Sequence, residues 1–218
     1  MTDHAPIDVS DMYAVHDALR HALRDAPGQL GTVNEANKDR ASRLADYLGE
    51  VLWLLHAHHA GEDELLYPLL EQRAPEHNEL FARMAAQHAS VSESQETAST
   101  SLERFGLSAS LDDRRAAADA CASLLAVVDE HLTNEENDVL PIAAHVLSAP
   151  EWGALPGHAL SHYQGERLWL PFGLVLEAMP EEMRNNLLAH LPPPVLGMWT
   201  AGGSDAFTEE MADIRGSY

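Results

Sequence analysis

His56-Ala57-His58-His59-Ala60-Gly61-Glu62-Asp63-Glu64-Leu65-Leu66-Tyr67-Pro68 decides how this chain is read, because histidines and carboxylates there interrupt an apolar helical stripe. Around it, Leu44, Leu48, Val51, Leu55, His58, Glu62, Leu65 and Leu69 step alternately by four and three residues, the spacing of a helix face turned toward a core. His58 and Glu62 therefore point inward. Two polar side chains one turn apart on an apolar seam form either a satisfied polar pair or two ligands of one metal.

Three other segments keep the same step. Val9, Met12, His16, Leu19 and Leu23 predict a helix over Ser10 to Ala26, with Ser10 as N-cap, Pro27-Gly28 as stop and a loop reaching Glu35. The helix carrying the quoted stretch runs from about Asn37 to Tyr67, where Pro68 ends or kinks it. Pro75 suits the first turn of a third helix, whose seam reads Phe81, Met84, His88, Val91, Gln95, Ala98, Leu102 and Phe105 before Gly106 closes it. Ser110 and Asp113 resemble a capping box opening a fourth, with Cys121, Leu124, Val128, His131 and Glu135 inward and an end near Pro141. The fold class expected is all-α, an up-down-up-down four-helix bundle over residues 8–147. At ~1.5 Å per residue His58, His88 and His131 reach one level, and His16 joins them if its helix stops short and the loop runs down to the second.

Residues 148–218 differ in composition, holding Trp152, Trp169, Trp199 and a Pro192-Pro193-Pro194 run. Short broken helices are expected there, with Ser148 and Glu151 capping one, Pro171 kinking Leu168 to Glu177, and a further run from Pro180 to His190. This extension reads as a lid or brace on the bundle, or as a surface for oligomer formation.

A net charge of -22 opposes binding to nucleic acid or anionic membranes. A single cysteine excludes an internal disulfide. No stretch approaches a membrane span and Met1 to Ser10 lacks a leader pattern, so the cytoplasm is the expected location.

A histidine with an acid four residues on recurs at His21/Asp25 and His162/Glu166, so this spacing alone is a weak signal. Seam position is stronger. His16, His58, His88 and His131 lie inward on four helices at one level, with Glu62 and Glu135 beside them. Leaving six such groups unpartnered costs ~1–3 kcal/mol each, comparable in sum to the stability of a domain. They form either a hydrogen-bonded polar layer or a metal site. Imidazole with carboxylate suits iron or manganese, and two carboxylates can bridge two metals; zinc needs fewer ligands. Neither Glu-x-x-His nor His-Glu-x-x-His occurs, which excludes the ferritin-like di-iron and zinc-protease signatures.

The pattern of one His, His-x-x-x-Glu, one His and His-x-x-x-Glu on successive helices resembles the hemerythrin-like, or HHE cation-binding, domain family over about Asp8 to Leu147. The sequences Glu-Asp-Glu-Leu-Leu-Tyr-Pro and Glu-Glu-Asn-Asp-Val-Leu-Pro after the two pairs belong to the resemblance. It implies a non-haem centre of two iron ions, with Glu62 and Glu135 as bridging carboxylates and His16, His58, His88 and His131 as terminal ligands; manganese or zinc are the alternatives. Dioxygen, peroxide or nitric oxide would be the small-molecule partner. A peroxidase/catalase-like or oxidase enzyme, or an iron- or redox-sensing module, are the other functions it admits. The tail resembles an extension of actinobacterial members.

Oxygen-carrying relatives have a second histidine one turn from the first on the third helix, where this chain has Met84 and Ser92, and an Asp five residues after the fourth-helix histidine, where it has Glu136. One coordination position is thus expected to be open or differently filled. Tyr13, Tyr67, His162 and Glu166 are the candidates for it. His59 and Asp63, rotated ~100° from the seam, are expected to face a helix boundary or solvent.

Overall fold

The computed structural model describes residues 5–216, which form helices joined by short turns with no strand among them. The bundle comprises α1 (Ser10–Gly31), α2 (Lys38–Gly61), a π turn (Glu62–Leu66) continuing into α3 (Tyr67–Arg73), α4 (Asn78–Ser108), α5 (Leu111–Asn134), and a second π turn (Glu135–Val139) continuing into α6 (Leu140–Val146). α1 packs on α2, α2 on α4, α4 on α5, and α5 closes back on α1, so the four long helices form the expected ring. Two of their starts are capped as their residue types dictate. Asn37 accepts the Arg40 N–H at 3.2 Å, and Ser110 accepts the Asp113 N–H at 3.1 Å, after Ala109 has ended α4 at φ 49°.

The first helix is longer than expected. Val9 takes the N-cap position, and Pro27 lies inside α1 instead of ending it. An interior proline costs about 3 kcal/mol, and burying Leu30 and Val33 on the core returns about 1.5–3 kcal/mol each. His16 therefore reaches the level of the other histidines without a descending loop.

The second departure follows Glu62. The straight-helix seam placed Leu65 and Leu69 inward, whereas Leu66 and Leu70 are the buried pair. In the π turn the Tyr67 N–H bonds the Glu62 carbonyl five residues back, so each later side chain advances one place. Pro68 then falls in the first turn of α3, where its missing N–H is tolerated. The same device recurs at Glu135, with the Leu140 N–H on its carbonyl and Pro141 next. Neither proline ends its helix.

Beyond α6 come α7 (Ala149–Trp152), α8 (Leu155–His162), α9 (Trp169–Ala178), α10 (Glu181–His190), α11 (Pro193–Met198) and α12 (Ser204–Arg215). The Ser148 N–H does bond the Glu151 carboxylate, at 2.9 Å. Pro171, expected to kink its helix, lies in the first turn of α9, where it breaks no bond. α9 lies on α1 and α2, α8 on α2, and α12 on α9. Leu170, Leu174, Phe207, Met211 and Ile214 share one apolar core with the bundle. Gly173 permits this, since any Cβ there would collide with the Phe207 ring. Among the described residues no helix is long and apolar enough to cross a membrane.

Candidate metal centre

The six residues expected at the centre converge, and their side chains are all buried. His16 comes from α1, His58 from α2, His88 from α4 and His131 from α5, while Glu62 and Glu135 each open a π turn. Their ligand atoms form two groups, each within 4.8 Å: His59, Glu62, His88 and His131 in one, His16, His58, Glu62 and Glu135 in the other. Glu62 belongs to both. Its Oε1 lies 3.3 Å from His58 Nε2 and its Oε2 lies 3.5 Å from His88 Nε2, so its two oxygens face opposite groups. Glu135 Oε2 is similarly shared, 3.4 Å from His16 Nε2 and 3.9 Å from His131 Nε2.

His59 is the residue that the seam argument missed. It is only 6% exposed, and its ring lies 4.4 Å from that of His88 and 4.9 Å from that of His131, centroid to centroid. At this level adjacent residues of α2 both reach the bundle interior, His58 toward His16 on α1 and His59 toward α4 and α5. The visible signal was the His58-His59 pair lying one turn before Glu62. His59 supplies a fifth imidazole in the donor set. Tyr13 is exposed, as are His162 and Glu166, so none of these reaches the centre. Tyr67 is buried with its ring 5.6 Å from His88, and its hydroxyl, close to Glu62 and Glu135, has no hydrogen-bond partner among the described residues.

The outward nitrogens of three histidines are held by a second set of side chains. Glu136 meets His16 Nδ1 at 2.8 Å and is itself clamped by Arg20, which also donates to Asp129 at 2.8 Å. Asp63 meets His88 Nδ1 at 2.7 Å, and Gln87 lies 3.4 Å from His131 Nδ1. Each contact turns Nε2 inward, as in metal sites whose ligands are oriented from outside. Glu136, five residues after His131, thus orients His16 of α1.

Inside the centre His88 Nε2 and His131 Nε2 pair at 3.1 Å, and the other inward polar atoms are left over. Nε2 of His16, His58 and His59, and all four oxygens of Glu62 and Glu135, have no hydrogen-bond partner among the described residues. Such a buried set is costly as it stands, and metal ions would satisfy it. The donors therefore fit a pair of ions: three imidazoles on one side, two on the other, and carboxylates between.

The electrostatics agree. Burial pushes His58 and His59 well below the ordinary imidazole range and His131 down to about 4, leaving the neutral form a metal requires. Burial opposes the charge on His16 too, but Glu135 and Glu136 outweigh it and raise its pKa. Burial and the neighbouring Glu135 push Glu62 well up, whereas Glu135 is held down to about 2 because His16 outweighs its burial. The two carboxylates thus oppose one another's charge, and Glu62 is the one driven toward its neutral form.

The family model described as Hemerythrin HHE cation binding domain matches residues 7–143, more than half of the chain. The chain belongs to this family of cation-binding helical domains. No curated protein and no solved structure matches it.

Proposed function

We propose that residues 8–147 bind two iron ions through His16, His58, His59, His88 and His131, with Glu62 and Glu135 bridging, and that the centre binds dioxygen or a related small oxidant. The observation that carries this reading is the sharing of Glu62 between two donor groups, which a single-ion site does not need. A bound pair of irons supplies redox chemistry and a coordination position for a small exogenous ligand. The chain's residues divide that pair unequally. His59, His88 and His131 would hold one ion and His16 and His58 the other, so that with both carboxylates shared the second ion would have one protein ligand fewer and a position open to a small ligand. Glu136, Asp63 and Gln87 hold the rings in place, and the buried apolar surroundings exclude bulk water. The Tyr67 hydroxyl, buried and without a partner among the described residues, stays protonated through burial and the nearby carboxylates, ready to donate one hydrogen bond.

The unequal division favours a second reading, an enzyme decomposing peroxide or carrying out another oxidation at the open ion. The test is to reconstitute the protein anaerobically with ferrous iron, then add oxygen, azide or peroxide. Reversible oxygen- or azide-dependent visible absorption supports binding, and peroxide consumption above that of free iron supports the enzyme. Failure of every added ligand to perturb the iron spectrum would refute both.

A further inference from the structure

The side of the centre with two imidazoles does not end in packed core. A cavity of about 220 Å³ reaches from it between the α1/α2 face and the C-terminal extension, with His58 and Glu62 in its wall. The bundle contributes Val15, Trp53 and Ala57; the extension covers them with Ala159 of α8, and Phe172 and Val175 of α9. The family match ends at residue 143, so the covering helices lie outside it. His58, Glu62 and Asp11 are the ionisable groups in its wall. Asp11 is occupied, accepting the Trp152 indole N–H at 2.9 Å.

We infer that this chamber binds an uncharged, apolar organic molecule of about bicyclic size and holds it against the open edge of the metal pair. An apolar protein cavity of about 150 Å³ stays dry and takes up benzene, so a chamber half as large again suits two fused rings. Its charge follows from the walls. An ion of either sign would lose its water to a lining that is mostly hydrocarbon, and an anion would in addition enter a strongly acidic protein. Trp53, Trp152 and Phe172 line the chamber, an aromatic surface suited to an aromatic or alicyclic ligand. Binding is a property of the cavity; what the ligand faces rests on the proposed metal centre.

Indole is a soluble probe of the right size, with naphthalene-2-sulfonate as its charged counterpart. Calorimetric titration of the full chain, both metal-free and iron-loaded, should show indole binding and at least tenfold weaker binding of the sulfonate. Ala159→Phe and Val175→Phe, which fill the chamber from two different helices, should each weaken indole binding at least tenfold with iron content and melting temperature little changed. In the iron-loaded protein indole should also shift the azide absorption band. Failure of indole to bind, equal binding of the sulfonate, or binding unaffected in correctly folded filled variants would overturn the proposal. Slower azide arrival in the filled variants without indole binding would make the chamber a passage for small molecules, which also overturns it. Indole binding to a chain that takes up no iron would instead leave the chamber standing and refute the metal reading.

Discussion

His59 carries the largest consequence of any single residue, since it makes the imidazole count five and its division three to two. His59→Ala should reduce iron to about one ion per chain or weaken one site at least tenfold, measured by metal analysis after equilibrium dialysis; wild-type content would remove His59 from the centre. The outer contacts make a graded claim. Glu136→Gln weakens both the hold on His16 and the Arg20 clamp, and is expected to lower metal affinity ~10–100-fold. An unchanged dissociation constant in chelator competition would contradict that role. Proton linkage gives a third test at this scale. In metal-free protein His58, His59 and His131 are depressed below the ordinary 6.5, so as pH falls through this range the unfolded chain takes up protons that the fold refuses, and stability is lost. Glu62 and His16 are raised, so their contributions decline as pH climbs, from 4.5 for Glu62 and from 6.5 for His16. Between those values the three histidines, two of them strongly depressed, outweigh Glu62 and the milder rises at Asp11 and Glu50, and only declining contributions remain above. Metal-free protein should therefore melt highest near pH 6.5, with His131 alone costing about 3 kcal/mol by pH 4. Melting temperatures that rise steadily from pH 4.5 to 8 would be incompatible with this.

At the scale of elements, the two π turns are paired devices, each opening on a shared carboxylate and each followed by a proline in the next helix. Deleting Glu64, an exposed residue of the first turn, would convert it to α-helix and bring Pro68 into the helix interior. Such a deletion should cost about 3 kcal/mol, most of it regained on adding Pro68→Ala. Denaturant unfolding of the two variants checks this, and a deletion with no cost would mean the turn does not serve the proline. The turns also mark where sequence periodicity lost its hold. The seam from Leu44 to Glu62 was correct because 3.6-residue periodicity governs α2 without interruption. Past Glu62 one extra residue per turn moved burial to Leu66 and Leu70, a shift that a fixed period cannot anticipate. Pro27 misled for a different reason: local propensity argues for a stop, and the burial of Leu30 and Val33 a few residues on overrides it.

Across the whole molecule, metal binding would be coupled to the fold, because the atoms orphaned in the centre come from α1, from α2 and from the π turns that follow α2 and α5. Ions bound at a hundred times their dissociation constant would add about 2.7 kcal/mol. Chelation should accordingly lower the melting temperature by several degrees, reversibly on iron return; an unchanged melt would argue that the centre is not a metal site. The ring of four helices, and the convergence of six of the seven residues that form the two donor groups, were legible because apolar seams and inward polar groups are written locally. His59 was not, since its burial depends on how wide the bundle is at that level. The chamber was not either: it arises where α8 and α9 lie across α1 and α2, a tertiary arrangement absent from any one helix pattern.

Iron per chain, measured by mass spectrometry after anaerobic ferrous reconstitution of wild type, His58→Ala and Glu62→Ala, tests the shared-carboxylate centre most directly. About two irons in the wild type, fewer in His58→Ala and near none in Glu62→Ala is the result predicted. Near-zero iron in the wild type, or a single metal untouched by either substitution, would contradict the centre and leave the buried histidines as a structural layer.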